Sequence, residues 1–307
     1  MEGKNLYLVW LNWPERCFRA NAGDVRLLEK LVARRGAVRM VRSQSAFLAA
    51  LPAATHVICW EFRAEWFALA PRLRLLATPA AGRELLPRDA DVPRGVKKVH
   101  GAFHGRIMSE TVAACVLAHA RGLYEFHAAQ KGEGGKVDLW PRVKLSSRPT
   151  RVSGTRAVVL GYGNVGREIG RKLEALGVSV KGIRRRNFAE LKPSLKTADW
   201  LVVALPSDTG TDDVVDAGVL RAMKRGAVIV NVGRGNAVDE NALAAALSKR
   251  RIAAAFLDVF KREPLDGTSP LSADLPGLHR LPHASAFAPD YVAEFFRELS
   301  ERGLLGG

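Results

Sequence analysis

Residues 158–171 read VVLGYGNVGREIGR, and the order of residue types in that stretch decides the fold. An apolar, β-rich run ends at Leu160, glycines follow at Gly161, Gly163 and Gly166 in a G-x-G-x-x-G spacing, and helix-forming residues continue from Arg167. A strand that turns this tightly into a helix presents unpaired backbone N–H groups and the positive end of the helix dipole to an anion. Gly161 permits the tight turn, Gly163 lets backbone approach a pyrophosphate with no Cβ in the way, and Gly166 allows close contact of helix and strand. The next apolar run, Val178–Ile183, begins where a second strand belongs, so the stretch reads as a dinucleotide-binding βαβ unit.

The end of that second strand bears on which dinucleotide. An NAD-selective unit carries Asp or Glu about 20 residues beyond the glycines to accept hydrogen bonds from the ribose 2′-hydroxyl. Here the chain reads Ile183-Arg184-Arg185-Arg186, with no carboxylate. Guanidinium groups offer planar, permanently charged donors suited to a dianionic 2′-phosphate. The expected cofactor is NADP in preference to NAD, with Arg184 and Arg185 at the phosphate.

Outward from this turn, short β-rich runs alternate with stretches at helical spacing on both sides. Downstream stand strands at Trp200–Ala204, Val228–Val232 and Ala253–Leu257, with helices at Val165–Leu176, near Val219–Met223, and at Glu240–Leu247. Upstream the same rhythm runs from Leu6–Leu11 to Leu73–Ala77, so two consecutive α/β units share the chain. A helical pattern over Met108–Phe126 reads as one long connecting helix, and residues 131–155, rich in Gly, Lys, Arg, Ser and Pro, read as an irregular surface connection. Val292, Phe295, Phe296 and Leu299 make the tail, Tyr291–Arg302, an amphipathic helix that has to pack on something.

A chain of 307 residues has room for about two domains, and 48% hydrophobic with 25% charged residues is the composition of a globular protein, not of a disordered one. The mean hydropathy is −0.04, and no stretch reaches the roughly 18 apolar residues of a membrane span; the expected location is the cytoplasm. Cys17, Cys59 and Cys115 form no C-x-x-C pair, which fits a reducing compartment and argues against structural zinc. The net charge of +16 favours anionic partners without specifying them. With no helix-turn-helix, zinc-finger spacing or RNP signature, nucleic acid is not the expected partner.

Three further motifs stand downstream: VNVGRG (Val230–Gly235), LDVFKREP (Leu257–Pro264) and LPHAS (Leu281–Ser285). Together with the glycine turn, Leu205-Pro206 followed by Thr211, and the block opening at Met223-Lys224, they occur in the order and spacing of the D-isomer-specific 2-hydroxyacid dehydrogenases, which include glyoxylate/hydroxypyruvate reductases. The chain resembles that family over most of its length. The resemblance implies two Rossmann-like or flavodoxin-like doubly wound α/β domains with a cleft between them, a discontinuous substrate domain (residues 1–103 plus 285–307) and a nucleotide domain (residues 104–284).

It also implies roles. Arg234 matches the arginine that holds the substrate carboxylate, His283 the catalytic acid–base, and Glu263 its carboxylate partner. The chemistry agrees: reduction of a 2-keto acid needs a proton for the developing alkoxide, and an imidazole with an ordinary pKa of about 6.5 is suited to deliver it. A carboxylate on the other ring nitrogen fixes the ring and favours the imidazolium. By the same resemblance Gly161, Gly163, Asn164, Val165, Gly166, Arg184, Arg185, Pro206, Thr211, Val232, Gly233, Arg234, Asp258 and His283 line the cofactor. Trp60 and the Ala81-Gly82 amides face the substrate with Arg234 and His283. The expected activity is NAD(P)H-dependent reduction of a small 2-keto acid by a homodimer whose subunits meet through the connecting helix and the arm near Trp140. The alternative of another class is a dinucleotide-sensing corepressor on the same scaffold.

Overall fold

The structure is a computed structural model and describes residues 5–132, 135–208 and 210–305. The chain divides into two compact units, Met1–His104 with Phe287–Gly307, and Gly105–Ala286.

The first unit contains β1 (Asn5–Trp10), α1 (Ala22–Val32), β2 (Gly36–Met40), α2 (Gln44–Ala50), β3 (His56–Cys59), β4 (Leu75–Thr78) and β5 (Lys97–His100). Its sheet is wholly parallel in the order β2-β1-β3-β4-β5, and β3 and β4 are buried at every residue, as strands covered on both faces must be. Helix α1 starts three residues before its apolar pattern because Asn21 and Asp24 form a reciprocal cap: the Asn21 side chain accepts from Gly23 and Asp24 amides, and Asp24 Oδ2 from the Asn21 amide at 2.8 Å.

The second unit follows from α3 (His104–Ala120), whose first residue belongs to the first unit. The single helix expected over Met108–Phe126 is in fact two, α3 and α4 (Leu123–Lys131). Gly122, at φ 67°, takes the left-handed conformation that ends one helix and opens the next, while apolar spacing continues across the break. Then come β6 (Arg156–Leu160), α5 (Asn164–Ala175), β7 (Ser179–Ile183), α6 (Leu191–Leu195), β8 (Trp200–Val203), α7 (Ala217–Ala222), β9 (Val228–Asn231), α8 (Glu240–Ser248), β10 (Ala254–Leu257) and β11 (Leu278–Arg280). This sheet is parallel in the order β11-β10-β9-β8-β6-β7. Its strands alternate between two cores: Val158, Leu160, Leu201 and Ile229 enter one, Ala157, Val159, Val202 and Val230 the other.

Helix α9 (Tyr291–Glu301) returns to the first unit and packs on α1. Its stripe of Phe295, Phe296 and Leu299 is completely buried, which is what the amphipathic tail required.

Candidate active site

From β6 the chain of the second unit first runs outward to β7 and then returns to β8 on the other side of β6. Open parallel sheets bind ligands at the carboxyl ends of strands where the order reverses in this way. The loops at that point are Gly161–Gly163 after β6, Leu205-Pro206 after β8 and Val232–Arg234 after β9. Gly161, at φ 96°, lies so close to the β8 loop that a Cβ on it would sit 2.5 Å from the Ala204 carbonyl oxygen. Gly166 is pressed on the Gly161 carbonyl in the same manner, and buried Gly233 lies against Leu205. Above Gly163, in contrast, no atom of the described residues beyond its own chain neighbours and helix backbone comes within 4 Å of where a Cβ would stand. Room is thereby left at the amino end of α5, beside Asn164 and Val165, and this fits the pyrophosphate of a dinucleotide.

At the end of β7 the Arg184 side chain donates through Nε to the Tyr162 carbonyl at 2.7 Å, which leaves both Nη groups without a protein hydrogen bond among the described residues. Asn187 holds the turn, accepting from the Arg184 amide at 2.7 Å and donating to the Gly182 carbonyl at 3.1 Å. Arg185 is exposed and reaches Asp208 at 3.4 Å. Thr211 is buried; its hydroxyl lies within hydrogen-bond distance of the Pro206 carbonyl at 3.0 Å and the Asp208 carbonyl at 2.8 Å, so it shapes the Pro206 turn from inside.

The candidate groups stand on the loops after β9 (Arg234), β10 (Glu263) and β11 (His283). Asn231, 1% exposed at the end of β9, bridges its own loop: Oδ1 accepts from the Gly233 amide at 3.0 Å and Nδ2 donates to the Arg234 carbonyl at 3.1 Å. Arg234 is half-buried, with Nη1 donating to the Gly233 carbonyl at 2.9 Å. After β10, Glu263 accepts from the Phe260 amide at 2.9 Å through Oε1 and meets His283 Nδ1 at 2.7 Å through Oε2. With Nδ1 held by a carboxylate, Nε2 is the ring nitrogen left to exchange a proton with a ligand. His283 itself has φ 55°, uncommon outside glycine, and the residues after it are anchored. The amides of Ala284 and Ser285 donate to the two oxygens of buried Asp258 at 2.7 and 2.9 Å. A general acid oriented by a carboxylate, with an arginine in the same unit, is a set of parts for protonating an oxyanion next to a carboxylate.

Sequence reasoning passed over Asn231 although its signal was visible, an amide closing an otherwise apolar VIVN strand. It also passed over Glu240, buried at the start of α8.

The remaining expected residues belong to the first unit. Trp60, expected to face substrate, is 6% exposed, donates from Nε1 to the Phe18 carbonyl at 3.0 Å and stacks near Tyr291 at 6.0 Å; it is a packing residue of an aromatic cluster. Ala81 is exposed, and the Glu84 carboxylate lies against Gly82, 2.1 Å from where a Cβ would stand. His104 is buried and hydrogen-bonds Tyr291 Oη through Nε2 at 2.8 Å, a structural arrangement in which burial raises the tyrosine's pKa.

A family profile described as D-isomer specific 2-hydroxyacid dehydrogenase, NAD binding domain, matches residues 113–285. Glyoxylate/hydroxypyruvate reductase B of Pectobacterium carotovorum is 34% identical over 230 residues, covering 70% of this chain and 69% of that protein. Among solved structures, a D-isomer specific 2-hydroxyacid dehydrogenase family protein from Aeromonas salmonicida aligns with a TM-score of 0.76 at 28% identity, over 98% of this chain and 96% of that one. A D-isomer specific 2-hydroxyacid dehydrogenase from Xanthobacter autotrophicus, in complex with NADPH and MES, aligns with a TM-score of 0.72 at 26% identity over the same shares, 98% and 96%. Two parallel sheets, a glycine turn at the switch point and a histidine–glutamate pair define a dehydrogenase of the doubly wound class. The chain belongs to the D-isomer specific 2-hydroxyacid dehydrogenase family.

Proposed function

We propose that the protein reduces a small 2-keto acid of the glyoxylate or hydroxypyruvate kind to the D-2-hydroxy acid, with NADPH preferred to NADH. The observation that carries this reading is the 2.7 Å contact of Glu263 with His283 Nδ1, in the same unit as Arg234 and the glycine turn. The reduced nicotinamide, when bound, supplies a hydride to the keto carbon. His283 delivers a proton from Nε2 to the carbonyl oxygen as negative charge develops there, and Glu263 keeps the ring aligned and stabilises the imidazolium before transfer. Arg234 holds the substrate carboxylate in a fork and strengthens its grip as the alkoxide forms. Ala81 and Gly82 are read as further carboxylate holders through their amides. Gly161, Gly163, Asn164, Val165 and Gly166 cradle the pyrophosphate, while Pro206, Val232, Gly233 and Asp258 line the nicotinamide side and Thr211 holds the Pro206 turn.

Support for NADPH comes from the basic end of β7, where Arg184 is pre-positioned by Tyr162 and the exposed Arg185–Asp208 pair is weak enough for a phosphate to displace. The Xanthobacter neighbour was solved with NADPH. A homodimer is supported by the apolar surface beside α4, where Leu139, Trp140 and Val143 are 74%, 79% and 88% exposed. Three free cysteines fit the reducing cytoplasm.

The reading is tested by following the loss of reduced nicotinamide absorbance with NADPH and NADH across glyoxylate, hydroxypyruvate, pyruvate, phenylpyruvate and a branched 2-keto acid. Turnover with NADPH exceeding that with NADH on a small keto acid supports it. Tight dinucleotide binding with no turnover on any of them moves the assignment to a dinucleotide-sensing binding protein.

A further inference from the structure

We propose that Glu240 is a positioning residue for the reaction: it clamps the segment that carries Glu263 and thereby sets the Glu263–His283 contact. The inference rests on the reading of that pair as the acid–base couple. Glu240 is the first residue of α8 and only 8% exposed, an unusual place for a carboxylate with no cation bonded to it among the described residues. Its two oxygens reach opposite ends of the loop after β10. Oε1 accepts from the Lys261 amide at 2.9 Å, and Oε2 accepts from the Ser269 hydroxyl at 2.6 Å. The residue before Lys261 is Phe260, whose amide holds Glu263 Oε1 at 2.9 Å. One peptide step therefore separates the amide that Glu240 fixes from the amide that orients the catalytic carboxylate.

The same peptide is the reference surface for the arginine loop. Gly235, next to Arg234, lies so close that a Cβ on it would be 1.9 Å from the Phe260 carbonyl carbon and 2.5 Å from the Lys261 nitrogen. If the Phe260–Lys261 segment moves, Glu263 turns away from His283 and the backbone beside Arg234 loses its support. At Lys261, the Nζ–Asp213 ion pair at 2.5 Å has both partners substantially exposed and is no substitute for a buried two-point clamp. Neither oxygen of Glu240 touches the cofactor cradle, so its loss acts on geometry at the acid–base pair and not on dinucleotide affinity.

The experiment compares E240A, E240Q and S269A in the full chain. Glutamine keeps an acceptor for the Lys261 amide and offers the Ser269 hydroxyl a donor in place of an acceptor, so the clamp survives without the charge. E240A is expected to lose about tenfold to a hundredfold in kcat, the range for a small misplacement of reacting groups, with NADPH Kd unchanged. E240Q is expected to stay within about threefold of wild type, and S269A to fall about threefold, the effect of one lost hydrogen bond. In the E263Q background E240A is expected to add nothing, because both act through one contact. Normal kcat in E240A, additive losses with E263Q, or a parallel fall in NADPH affinity would overturn the proposal, and should E240A not fold, E240Q and S269A still decide it. Proton NMR of the His283 Nδ1–H resonance, assigned by its absence in H283Q, reads the same geometry without turnover: the signal is expected to broaden or shift in E240A and S269A and to be retained in E240Q. An unchanged resonance overturns the clamp, whereas a changed resonance in a protein that reduces no keto acid retires the reductase reading alone.

Discussion

In the proposed reduction Arg234 is the residue on which substrate recognition turns, because a fork of donors beside a carbonyl stabilises the transition state more than the ground state. R234A is expected to raise the keto-acid KM, lower kcat, and cost about a hundredfold in kcat/KM; steady-state kinetics leaving both constants unchanged would place the carboxylate clamp elsewhere. In the proposed function Arg184 governs cofactor choice. Its Nε is committed to the Tyr162 carbonyl, so what it offers a 2′-phosphate is its pair of Nη groups, already oriented. Replacing it in R184D removes those donors and adds a like charge. The ratio of kcat/KM for NADPH over NADH is expected to fall at least about tenfold, the worth of one charge-assisted bond, and an unchanged ratio contradicts the assignment. The glycine turn was legible because residue type and spacing alone imply a physical need, no side chain fitting at Gly161; the arginines enter only through the missing carboxylate at the end of β7. Asn231 was visible only as an amide closing an apolar strand, and Glu240 was not legible as a site residue at all. A buried polar side chain declares its purpose only through its partner, and the Lys261 and Ser269 groups that Glu240 holds become neighbours of α8 only in the folded chain.

At the level of elements, the loops after β9 and β10 behave as one body, joined where Gly235 meets the Phe260–Lys261 peptide. Any Cβ at that point forces the two loops apart. G235A is expected to lower kcat about a hundredfold while leaving NADPH Kd near wild type, since the cradle at β6 and α5 is built separately; equal kcat would show that the loops yield without consequence. The central strands followed from patterning, because a strand buried on both faces is a short apolar run: β8 and β10 are apolar throughout, and β3, β4 and β9 are apolar at all but one terminal residue. The break between α3 and α4 did not. Apolar residues recur at helical spacing on both sides of Gly122, and a glycine inside such a pattern is as compatible with a tolerated helical position as with the left-handed junction observed. Periodicity also does not locate the start of α1, since it counts apolar positions and the Asn21–Asp24 cap precedes them.

For the molecule as a whole, two histidines packed inside it are expected to lower stability in acid. His56 is 3% exposed, stacks on Tyr7 and shares a hydrogen bond with Thr55; burial, aided by Arg74, pushes its pKa down to about 4. His119 is pushed down to about 4 as well, by burial first and the Arg148 charge second. Since the ordinary value is about 6.5, the unfolded chain binds more protons than the native one between that pH and the folded value, so stability rises with pH across this window. Both contributions are fully present above about pH 6.5 and are lost as pH falls towards about 4. His56 alone is worth up to about 3 kcal/mol. Urea midpoints measured from neutral pH downward are expected to decline through this interval, and H56N to flatten the decline; a flat wild-type profile would remove histidine burial as the cause. In the proposed function the net charge of +16 favours the approach of anionic keto acids and dinucleotides, through a field that salt screens.

The central claim is that His283, held by Glu263, delivers the proton in reduction of a 2-keto acid. The most direct test sets wild type beside H283Q, with NADPH and the best keto acid, and measures kcat together with NADPH Kd. The account predicts a fall in kcat of about a thousandfold or more with Kd unchanged, because the ring is needed for proton transfer and not for the pyrophosphate cradle. Wild-type turnover in H283Q would contradict it and remove the histidine from the mechanism.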